Sequence, residues 1–143
     1  MSRLAIFNMA LGFFLLCFSA MGGSFIAFDL TEGYLKDPEI LTSWQLALQK
    51  SSHGHTNLFA MIHILMGLTL SYSVLSQKVK ILQTWFLAAG SVAMGPLMLM
   101  RAAAGPSSSF DLIGLSIGGG LSLSFAALAL HFFGLAGKLM EKQ

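Results

Sequence analysis

Four stretches of the chain, near residues 4–28, 54–75, 81–100 and 110–137, are each about 20 residues or longer and almost free of charge. Lipid offers no partner for a backbone amide, so a segment that crosses it must satisfy its own N–H and C=O groups, as a helix does. The runs therefore predict an all-α fold, a four-transmembrane-helix bundle forming one integral membrane domain over residues 1–143. Composition agrees: 55% of residues are hydrophobic and 10% charged, where a soluble domain carries about 25% charged residues. The last run is long enough to tilt or protrude. Met1-Ser2-Arg3 before an apolar run also suits a signal peptide. This run exceeds the usual signal core, so a retained first helix is expected. Cys17 stands alone, which excludes an internal disulfide, and the absence of a basic cluster speaks against nucleic acid as a partner.

Orientation follows from the cations. Arg3, Lys78, Lys80, Lys138 and Lys142 fall on the side of the termini, and Lys36, Lys50 and Arg101 on the other. That excess predicts N-in, C-in topology, with the bacterial inner (cytoplasmic) membrane as the expected location. Between the first two spans, Asp37-Pro38-Glu39 is a helix-start signal, and Ile40, Leu41, Trp44, Ala47 and Leu48 share a face. A short amphipathic surface helix over 38–50 is expected there, anchored by Trp44. Gly105-Pro106-Ser107-Ser108-Ser109 marks the other outer connection as a loop.

Three of the four histidines, His53, His55 and His63, lie on the second apolar run. An imidazole in a membrane is a candidate for metal or haem ligation. His53 and His55 lie about 200° apart on a helix and so face different sides, while His63 lies about 12 Å deeper than His55. His55 and His63 are thus not the two axial ligands of one haem. A haem would take its second ligand from elsewhere. Met94 and Met98 near the outer end of the third run are soft candidates for iron or copper. Arg101 at the outer mouth is a candidate partner for haem propionates or a headgroup-facing cation. His131 reads as an interfacial residue, and Asn8, Ser19 and Ser91 as packing polars. Gly114-x-x-x-Gly118 and the triplet Gly118-Gly119-Gly120 suit close helix packing or dimerisation. They suit equally well a space cleared for a flat cofactor. No carboxylate pair, nucleophile–base pair or phosphate loop appears.

Ser52-His53-Gly54-His55, followed by Asn57-Leu58-Phe59 and an apolar helix, resembles the His-x-His helix of haem–copper oxidase and nitric oxide reductase large subunits. In that family the helix runs from outside to inside, its first histidine holding the high-spin haem and its second the low-spin haem. The resemblance covers one helix and implies those roles for His53 and His55. With four histidines in all, the chain lacks the additional imidazoles that family uses for copper, so the resemblance implies at most a b-type haem site.

The expectation is a small membrane haem b protein engaged in electron transport or gas binding, an oxidoreductase if it turns anything over. Its partners would be the lipid bilayer, a possible quinol, and either further copies of itself or the other subunits of a membrane complex. Two other readings stand beside it: a copper or other transition-metal protein using His53, His55, His63 and the methionines, and a non-catalytic scaffold subunit.

Overall fold

The computed structural model describes residues 1–107 and 111–141, with residues 41 and 42 described in backbone only. The start of the fourth predicted run at Phe110 and the cation Lys142 lie outside the described residues. So do Ser108 and Ser109 and the side chain of Leu41. The fold is all-helical. Four helices follow in order: α1 (Arg3–Lys36), α2 (Trp44–Thr69), α3 (Gln77–Ala104) and α4 (Leu112–Met140). α1, α3 and α4 are each long and apolar enough to cross a membrane. α2 has 26 residues, but Gln45, Gln49, Lys50, Ser51, Ser52, His53 and His55 make its first half polar.

Caps set the boundaries. Ser2 Oγ accepts the Ala5 amide at 3.2 Å and Ser43 Oγ accepts the Leu46 amide at 3.2 Å. Asp111 accepts the Gly114 amide at 2.8 Å. Each is a side-chain oxygen satisfying a first-turn donor that the helix itself leaves open. α1 ends where Pro38 forces Asp37 into an extended conformation (φ −151°, ψ 105°).

The segment between α1 and α2 departs from the sequence expectation. The surface helix over 38–50 does not exist as a unit. Pro38–Thr42 forms a 3-10 turn, and Ser43 (φ −65°, ψ 140°) then breaks it and caps α2. Trp44 to Lys50 are the first turns of α2, because no glycine or proline interrupts the backbone before Gly54. α1 likewise runs past residue 28 to Lys36, through polar residues that the apolar pattern excluded. Lys36 and Glu32 pair at 2.8 Å on its last turn. At the other end α2 gives way at Thr69 to a 3-10 turn, Leu70–Tyr72, short of the predicted residue 75. α3 extends the predicted 81–100 at both ends.

α1 packs on α2 and α3 on α4, and glycines set how closely. A Cβ at Gly12 would lie 2.6 Å from the Ala60 carbonyl oxygen, and one at Gly67 would lie 2.7 Å from that of Ala5. Between α3 and α4, Gly90 meets Ser124 and Gly120 meets Ala93. Small residues thus bring backbones together where lipid supplies no hydrophobic drive. The triplet divides: Gly120 packs on α3, whereas Gly118 and Gly119 border open space. Leu87, Phe59, Met66, Leu70 and Met94 form the apolar core with Ala5 and Ala127.

Inside α3, Pro96 lacks the amide that would continue the ladder, and Ala93–Leu97 widens into a π-turn. Ser52 Oγ of α2 donates to the Gly95 carbonyl there at 2.9 Å, so the irregularity is tied to its neighbour. The turn after α2 docks on α4 through the Val74 amide and the Gly134 carbonyl at 3.0 Å. That contact, with Gly67 against Ala5 and Met9, brings the start of α1, the α2–α3 turn and the end of α4 to one end of the bundle.

Candidate functional site

Three histidines share one arrangement at three levels of the bundle: a hydroxyl on one ring nitrogen and a carboxamide on the other. At the first level, His53 Nδ1 lies 3.0 Å from Ser19 Oγ of α1 and His53 Nε2 lies 3.4 Å from Asn57 Nδ2. Gly23 admits the ring, since a Cβ there would come within 2.6 Å of it. At the middle level, His63 is fully buried, with Nδ1 at 3.0 Å from Asn8 Oδ1 and Nε2 at 3.2 Å from Ser91 Oγ. At the third level, His131 of α4 has Nε2 at 2.8 Å from Thr69 Oγ1 and Nδ1 at 3.1 Å from Gln83 Nε2.

The neighbours fix part of the protonation pattern. Asn8 Nδ2 donates to the Leu4 carbonyl at 3.0 Å and to Thr84 Oγ1 at 2.9 Å, so Asn8 Oδ1 faces His63 as an acceptor. His63 Nδ1 therefore carries a proton. Each hydroxyl also has a backbone carbonyl within reach: His53 O for Ser19 at 3.2 Å, Leu87 O for Ser91 at 3.2 Å and Leu65 O for Thr69 at 2.7 Å. The hydroxyl can turn to donate to the ring or to the carbonyl. No carboxylate pairs with any of the rings among the described residues, and Gln83 Oε1 is the one buried side-chain polar atom among them without a partner.

His55 differs. Its Nδ1 lies 2.8 Å from the Ser51 carbonyl oxygen one turn back and 3.2 Å from Ser51 Oγ. Its Nε2 makes no hydrogen bond among the described residues. Donation from Nδ1 to the carbonyl leaves the Nε2 lone pair open, the arrangement that metal-bound histidines usually show.

The sequence candidates are not brought together. His53 turns to α1, His63 to α1 and α3, and His55 to its own helix. Met94 is buried in the core and Met98 is packed against that core. Arg101 binds the Asp111 carboxylate and, at 3.3 Å, the Gly105 carbonyl, clamping the loop between α3 and α4. Gly105 takes φ +85° in that loop, a conformation suited to glycine. The Gly114 amide, and after it Arg101, hold the Asp111 carboxyl below the usual carboxylate range. No group of three or more His, Cys, Asp or Glu among the described residues is placed to hold a metal ion. Beside His53 the free space is about 20 Å³, enough for one water and far too little for a porphyrin. Of the donors, only His55 Nε2 fits an axial ligand as it stands.

Thr69, Gln83 and Thr84 belong to no recognisable motif in the sequence. Their one signal is polarity inside an apolar run. Searches against protein-family models, curated proteins and solved structures find no match to this chain.

Proposed function

We propose that this chain is a four-span protein of the bacterial cytoplasmic membrane, N-in and C-in, that binds a b-type haem through His55 near the outer surface. The observation that carries the reading is the Nδ1 contact to the Ser51 carbonyl at 2.8 Å with Nε2 left open. That bond holds the ring on one tautomer and one heading, as a ligand to iron requires. The second ligand would come from another copy or subunit, or the position would stay open to a diatomic gas. Bound there, the haem would supply one-electron chemistry, with a membrane quinol as the chemically fitting donor. Topology rests on Arg3, Lys78, Lys80 and Lys138 lying at the end of the termini, against Lys36, Lys50 and Arg101 at the other.

Absorption spectra of protein purified after expression with added haem test this reading. A Soret band that shifts on dithionite reduction and disappears in His55→Gln is the expected result. A colourless wild-type protein, or a band indifferent to His55→Gln, overturns it. A scaffold role is the second reading, favoured by Gly118 and Gly119 bordering open space on α4, a face shaped for a neighbouring helix.

A further inference from the structure

We propose that His53, His63 and His131 are the stations of a proton-transfer path running along the bundle, a function separate from haem binding at His55. The same hydroxyl–imidazole–carboxamide unit occurs three times, and in each the ring meets a hydroxyl able both to donate and to accept. The carboxamide keeps one role, and at His63 its oxygen accepts from Nδ1 whether the ring is neutral or protonated. At His63 the change needs no movement of heavy atoms. With the ring neutral, Ser91 donates to Nε2. With the ring protonated, Nε2 donates to Ser91 and Ser91 donates to the Leu87 carbonyl.

The levels are also distributed through the bilayer. His53 and His63 are about 15 Å apart along α2, and Thr69, the partner of His131, lies about 9 Å beyond, together most of a hydrocarbon core of about 30 Å. These steps are longer than a hydrogen bond, so water is the carrier between stations. The small cavity beside His53 is lined by Ser19, Ser52 and Thr56 and has room for one water. At the other end, the unpartnered Gln83 Oε1, buried beside His131, is an acceptor that a water would satisfy.

Each transfer adds one proton to a ring and removes one. The ring returns to neutral and no electron moves.

Proteoliposomes loaded with a pH-sensitive dye test the proposal, with a potassium gradient and valinomycin supplying the driving potential. Wild-type vesicles should acidify or alkalinise faster than empty ones. His63→Gln keeps a donor and an acceptor but takes up no proton, and it should lower the rate about a hundredfold, the low end of the loss typical of a missing proton-transfer group. His63→Gln should leave the Soret band of the haem reading in place, which separates this path from that reading. Should His63→Gln fail to fold by circular dichroism, His131→Gln takes its place, with the same fall expected. A wild-type rate equal to that of empty vesicles, or a folded His63→Gln or His131→Gln protein as fast as wild type, overturns the proposal.

Discussion

α2 and α4 invert the soluble rule that polar helices lie outside. α2, with its serines, threonines and histidines, buries Leu46, Ser52, Thr56, Phe59, Ala60, His63, Met66 and Gly67. α4, one of the most apolar stretches of the chain, buries only Ser124, Ala127 and Gly134. In water, burying apolar surface is what stabilises a helix contact. In lipid, apolar surface has nothing to gain by leaving its solvent, and the polar groups need protein partners instead. The inversion is therefore what a membrane solvent would produce, with α2 as the polar axis and α4 as a lipid-facing staff.

The sharpest way to break that contrast is a charge on the outer face of α4. Phe125 is 63% exposed, and Phe125→Lys should cost about 3 kcal/mol of insertion free energy if that face meets lipid. Glycosylation-tagged insertion assays measure it, and a neutral result would mean that α4 is covered by water. Next comes the close helix contact. Gly12→Leu drives a side chain into the Ala60 carbonyl and should destabilise the bundle by about 2 kcal/mol. Gly118→Leu, which meets open space, should change stability by no more than about 0.5 kcal/mol. Unfolding in mixed micelles compares the two, and equal losses would show that a partner covers Gly118.

A smaller effect belongs to the polar axis itself. His63→Leu leaves Asn8 Oδ1 without its donor and should cost about 1 kcal/mol, with His63→Gln recovering part of it. The smallest concerns the connection between α3 and α4. The Asp111 carboxyl is held below its ordinary value, so its contribution is complete above the unfolded carboxylate pKa of about 4 and is lost as pH falls through the lower folded value. Asp111→Asn should therefore lower Tm at neutral pH, and the gap from wild type should close on acidification. A gap constant with pH would detach Asp111 from the loop clamp.

Part of the site was legible because polarity inside an apolar run is conspicuous. His53, His55, His63, Asn8, Ser19 and Ser91 stand out in any reading of the chain. What the pattern does not reveal is who meets whom. Gln83 and Thr84 become significant only once packing brings Gln83 to the His131 ring and Thr84 to Asn8. The opposite headings of His53 and His55 follow from helical period alone, but that His53 finds Ser19 and Gly23 while His55 finds only Ser51 depends on where α1 lies. The boundary near residue 38 shows the same division. Asp37-Pro38 announces a break by local sterics, whereas the fusion of 44–50 into α2 depends on the Ser43 cap.

Chain chemistry alone was enough to specify long apolar helices, because lipid leaves the backbone no other way to satisfy its amides. It also specified that imidazoles sit among them. The packed bundle alone decided which faces turn inward, which ring keeps an open nitrogen, and that Pro96 and Ser52 share one irregular turn. Those outcomes depend on contacts between residues far apart in the chain, chosen by where glycine lets two backbones approach.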